Sequence, residues 1–219
     1  MIKFFNYHFI RRLWFLPAVL IWAYFVLQPG PKGLQVIAFT SAMEKSVLIP
    51  AFILTIFMFS SKTEIEFCKC YGFGITKLCI AQVLPYFLFT VIAMGAGVLY
   101  FPLHTIGVTP LGRFYIFASG VINLFAATSV VVFVRLLIRN MFGSLGFELV
   151  FYYLLLFRSF EPAKEWTYHT SMGALSSMYQ YKLPMDTFYA NRIVFLAVGI
   201  LFVAASFLLM KNPNYTEVE

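Results

Sequence analysis

From Ile193 to Met210 the chain reads IVFLAVGILFVAASFLLM, 18 residues without one charge. A run of that length spans the hydrocarbon core of a bilayer as a helix, and it has no counterpart in a small water-soluble domain. It is the clearest of six such candidates. The others are Leu13–Gln28, a stretch within Leu34–Phe59, Leu78–Phe101 with Pro85 inside it, Phe114–Val134, and Met141–Phe157 interrupted by Glu148. Hydrophobic residues make up 61% of the 219 and charged residues only 11%, against about 25% in soluble domains. A soluble fold of this size exposes too much surface to hide so much apolar side chain. The predicted class is an all-α integral membrane protein with six spans.

The N-terminal stretch lacks a small-x-small cleavage site after its apolar run and reads as retained structure. Residues 1–12 form an amphipathic helix by pattern. Ile2, Phe5 and Phe9 fall on one stripe with Leu13, while Lys3, Tyr7, His8 and Arg11 lie opposite. With the N-terminus inside, nine Lys and Arg fall on the inner face and seven on the outer. The tight inner clusters Arg11–Arg12 and Arg135–Arg139 favour that orientation, which places both termini in the cytoplasm. The net charge of +7 then serves membrane anchoring, and no nucleic-acid partner is expected. Glu44 and Lys45 interrupt the second span and are expected near the outer headgroups. The outer segment 158–191 is too apolar and too long for an ordinary loop. It predicts short helices on or dipping into the outer leaflet.

Enzymatic chemistry finds little to work with. His8, His104 and His169 are far apart, and no metalloprotease, nucleophile-elbow or P-loop motif is present. Cys68, Cys70 and Cys79 lack further ligands to close a metal site and read as reduced cytosolic thiols. No cofactor or metal is expected in this chain. Among ionisable residues inside spans Glu148 stands out, and neutralisation by Arg135 or Arg139 across the turn between spans four and five is the simplest reading. Ala93, Gly95, Ala96 and Gly97 in span three, with Ala126 to Ser129 in span four, predict close helix packing.

One stretch resists the bland reading. KTEIEFCKCYGFGITKL, Lys62 to Leu78, covers nearly all of the elbow 61–77 and crowds charge, cysteine and glycine between two apolar runs. Thr63 and Glu64 begin a short helix, Gly72 and Gly74 break it, and Thr76 starts the next. Ile65, Phe67 and Tyr71 are then apolar groups facing the cytosol, the kind of surface a grooved partner takes.

This layout resembles the membrane subunit of a type-2 ABC exporter. That family has an interfacial N-terminal helix, six spans, a coupling helix between spans two and three, and outer re-entrant helices between spans five and six. EIEFCKCYGFGITKLCIAQVL is similar to the family's coupling stretch, with Glu66 at the place of its acid, Gly72 where many members have Pro and Gln82 where many have Lys. The resemblance implies a single transmembrane domain over 1–219 that exports an amphiphilic peptide or lipid-like substrate across a bacterial plasma membrane. It implies a cytosolic ABC ATPase that carries ATP and Mg and docks on Glu64, Glu66, Phe67, Tyr71, Gly72 and Phe73, and a second membrane subunit beside this one. A secondary carrier, a membrane scaffold and a membrane-embedded enzyme are the alternatives.

Overall fold

The computed structural model describes residues 35–45, 47–58, 74–100, 109–138, 140–157, 175 and 184–211. These are helical almost throughout. The helices are α1 (Gln35–Lys45), α2 (Leu48–Phe57), α3 (Ile75–Tyr100), α4 (Pro110–Leu137), α5 (Met141–Phe157) and α6 (Met185–Lys211). Three of them, α3, α4 and α6, are long and apolar enough to cross a bilayer, and they mark the chain as a membrane protein.

Local chemistry sets the ends. Thr109 caps α4, its hydroxyl accepting from Gly112 N–H at 3.1 Å, and Pro110 follows at the first helical position, where its missing N–H is no loss. The helix therefore starts four residues before the apolar run does. After Ile138 the chain turns at once into α5. Asn140 Oδ1 accepts from Phe142 N–H at 2.9 Å, and Ser144 Oγ donates back to Ile138 O at 2.8 Å, which ties the two helices together. The break between α1 and α2 has a cause in Pro50. In a continuous helix Pro50 would have no N–H for the carbonyl of Ser46, and its ring would collide with it. In the first turn of a new helix it is tolerated. Tyr86 then donates its hydroxyl to Pro50 O, which fixes α3 against that turn.

Helix α4 is the centre of the bundle. Its apolar window is 61% buried, against 39% for α3 and 22% for α6. Glu44 lies beside Ser119 while Met58 lies beside Arg135, so α1 and α2 run in the same sense as α4. Helix α6 also runs parallel to α4: Arg192 reaches Ser119 near their starts, and Phe202 packs on Phe133 near their ends. Helix α3 runs the other way, with Met94 against Gly120 and Cys79 clustered with Leu136. Glu148 meets Thr55 after Ser144 has met Ile138, so α5 is antiparallel as well. The main core is apolar and central, and includes Phe39, Met43, Leu54, Met94, Ile116 and Leu124.

Close packing of α4 and α6 depends on one glycine. A Cβ at Gly199 would sit 2.5 Å from the Phe125 ring and 3.4 Å from Ala126 Cα. Gly199→Val is expected to cost about 1–3 kcal/mol by overpacking. Gly146→Ala on α5, where a Cβ meets nothing within 4 Å, is expected to leave stability unchanged or slightly improved. Unfolding of the purified protein in detergent checks both, and equal effects would remove the packing argument.

Of the sequence-read spans, Leu78–Phe101, Phe114–Val134, Met141–Phe157 and Ile193–Met210 fall on α3, α4, α5 and α6 and the second candidate on α1 and α2, while Leu13–Gln28 and the amphipathic helix over 1–12 lie outside the described residues. Helix α3 begins at Ile75, so 75–77 belong to it and not to the elbow. Helix α6 begins at Met185, so 185–191 extend the last span and are not part of the outer segment.

Candidate functional site

Lipid offers no hydrogen bonds, so polar groups inside a helical bundle must find each other. Among the described residues the buried charged side chains gather at two junctions, one towards each end of α4.

The first is built on Glu44, at the end of α1. Its side chain is fully buried. Oε1 accepts from Ser119 Oγ at 2.6 Å, from the backbone N–H of Leu175 at 2.9 Å, and from Arg192 Nη2 at 3.3 Å. Arg192 Nη1 donates to Asn123 Oδ1 at 2.5 Å and to Ser119 O at 3.2 Å, while Asn123 Nδ2 donates to Glu44 O at 2.9 Å. The guanidinium also lies 5.4 Å from the Phe188 ring centre and 5.5 Å from that of Phe195. Helices α1, α4 and α6 and one residue of the 158–184 connection thus converge on a single carboxylate. Glu44, which interrupts the second apolar run in the sequence, is accommodated inside the bundle because Arg192 supplies its countercharge there. Arg192 in turn is an internal residue, not an outer-loop base.

The second junction contains two of the three residues expected to pair across the α4–α5 turn. Arg135 is buried near the end of α4, and both Nε and Nη2 donate to Met58 O, at 3.2 and 2.5 Å. Met58 is the C-cap of α2, with its backbone extended, so the guanidinium covers a carbonyl end that helix geometry leaves open. Glu148 is fully buried on α5. Its Oε2 accepts from Thr55 Oγ1 at 2.6 Å, and the positive charge of Arg135 is its electrostatic partner. Glu148 Oε1 has no hydrogen-bond partner among the described residues. Arg139 lies outside the described residues. So do Glu64, Glu66, Phe67, Tyr71, Gly72 and Phe73, the whole expected docking elbow.

In each junction a hydroxyl on one helix, Ser119 or Thr55, donates to a buried carboxylate on another at 2.6 Å. Among the described residues no group of three His, Cys, Asp or Glu is placed to hold a metal. What these arrangements do is bind helices to one another. Glu44 and Arg192 fix α1 to α6 across α4, and Arg135 with Thr55 and Glu148 fixes α2 to α4 and α5. Sequence reading missed Ser119, Asn123 and Arg192 as partners of Glu44. The signal was present in Ser119 and Asn123, four positions apart on an otherwise apolar helix.

A third feature is a groove of about 330 Å³ between α3, α4 and α6, with an apolar lining that includes Cys79 and Thr128. No family model, no curated protein and no solved structure matches this chain.

Proposed function

We propose that the chain is the membrane-spanning subunit of an ATP-driven exporter of the type-2 ABC kind, coupled to a separate cytosolic ATPase. The observation that carries this reading is the alternation of helix directions. It puts the end of α2 and the start of α3, which residues 59–73 with Glu64 to Phe73 link in the chain, at the end of the bundle where α4 and α6 finish. The α5–α6 connection, which contains the apolar segment from residue 158 onward, starts and ends at the opposite end. A docking lever on one side and a capping segment on the other is the arrangement such an exporter needs.

On this reading α1 and α2 together form span two, Leu13–Gln28 forms span one, and both termini face the cytoplasm of a bacterial cell. The ATPase would grip Glu64, Glu66, Phe67, Tyr71, Gly72 and Phe73. Its closure would move α2 and α3 as rods, and Arg135 would carry that movement from Met58 into α4. Two membrane subunits would enclose the path of an amphiphilic cargo. ATP and Mg would belong to the partner chain.

The test is co-purification. The chain is expected to pull down a P-loop ATPase, and Glu66→Lys with Phe67→Ala is expected to lower recovery of that ATPase at least about tenfold while the membrane protein stays folded, as removal of charged and aromatic anchors does at interfaces. An unchanged pull-down rejects the coupling role. A secondary carrier is the second reading, favoured by two fully buried carboxylates, Glu44 and Glu148. Full transport by the purified chain alone would select it.

A further inference from the structure

We infer that the groove between α3, α4 and α6 is a binding site for an anionic phospholipid, with an acyl chain in the groove and the phosphate at its mouth. The inference stands on the membrane character of the chain and not on the transport reading. Ile80 and Leu84 of α3 form one wall and Val203 and Phe207 of α6 the other, over a floor that includes Phe125 and Thr128 of α4. Ile80, Leu84 and Phe207 are more than a third exposed, so the groove opens on the lipid-facing surface.

The charge at one end selects the lipid. Lys77 stands three residues before Ile80, on the same face of α3, and Lys211 stands four residues after Phe207, on the same face of α6. Both lysines are exposed. Cys79 and Met210, their near neighbours in the chain, pack in one cluster, so the two cations flank the same end of the groove. Basic residues at the membrane surface between helices attract anionic headgroups. The floor keeps its hydroxyls out of the groove. Ser129 and Ser206 each turn their hydroxyl back to a carbonyl of their own helix, at 2.7 Å. Thr128 Oγ1 is buried as well, so the floor presents only carbon to the groove, a surface that suits an acyl chain.

The experiment places the full chain in phosphatidylcholine nanodiscs and titrates in phosphatidylglycerol that carries a photoactivatable acyl chain. Labelling is expected on peptides of α3 and α6, half-saturating at a low mole fraction. Lys77→Gln and Lys211→Gln are each expected to raise that fraction about fivefold, and the pair about 25-fold, from the attraction of each basic residue near a membrane surface. Leu84→Trp, at a partly exposed lining position, is expected to abolish labelling by filling the groove. Photoactivatable phosphatidylcholine is expected to label the same peptides weakly. Equal labelling by both lipids, or a shift below twofold in the double lysine variant, overturns the proposal. So does a Leu84→Cys disulfide-linked dimer formed without lipid labelling, which makes a second copy the occupant.

Discussion

Arg192→Leu is expected to lower the unfolding free energy by about 3–5 kcal/mol, the cost of leaving a buried charge without its partner. The size follows from what remains. Glu44 stays fully buried and loses its countercharge, while Asn123 Oδ1 and Ser119 O each lose a charged donor. Glu44→Gln is expected to cost less than Arg192→Leu, because the amide oxygen still accepts from Ser119 Oγ and Leu175 N–H. The pair Glu44→Gln with Arg192→Leu is expected to be more stable than the sum of the single changes by about 1–3 kcal/mol, the coupling of residues in one network. Detergent-resistant unfolding of the four proteins measures this. Additive losses, or a loss below about 1 kcal/mol for Arg192→Leu, would show that the ion pair does not hold the bundle.

At the other junction the expected effects are asymmetric. Arg135→Gln is expected to cost about 2–4 kcal/mol, since hydrogen bonds from a charged donor contribute about 1.5–3 kcal/mol each and both made to Met58 O are lost or weakened. It also strips Glu148 of its positive neighbour. Glu148→Gln is expected to stay within about 1 kcal/mol of the natural protein, because Gln retains an acceptor for Thr55 Oγ1 and removes a carboxylate whose second oxygen has no hydrogen-bond partner among the described residues. Hydrogen exchange gives a local readout. Amides of Phe57 and Met58 are expected to exchange faster in Arg135→Gln, with Arg135→Lys intermediate. If Glu148→Gln proves the more damaging of the two, the carboxylate and not the guanidinium organises this junction.

The helices were legible wherever apolar runs and local caps agreed. Met141–Phe157 has the same ends in sequence and structure, because Asn140 and the preceding turn define its start. Helix α6 was read eight residues short at its start, since Arg192 broke the hydropathy pattern. Only its partner on α1 shows that a charge there is satisfied inside the bundle. The Arg135–Glu148 association was foreseeable because 13 residues and one tight turn separate them. The hydrogen bonds of Arg135 to Met58 O were not, because a backbone carbonyl carries no mark in sequence. The break at Pro50 was available and unread: Pro inside an apolar run is the usual sign of a second helix start.

The separation of Glu44 from Arg192 also has a consequence in time. The two are 148 positions apart, and a ribosome covers that distance in roughly 7–30 s at 5–20 residues per second. Through that interval the nascent chain carries an acidic group whose cation has not been synthesised. Translation therefore delivers the neutralising residue only with α6, and until then the carboxylate of Glu44 has to be tolerated without it.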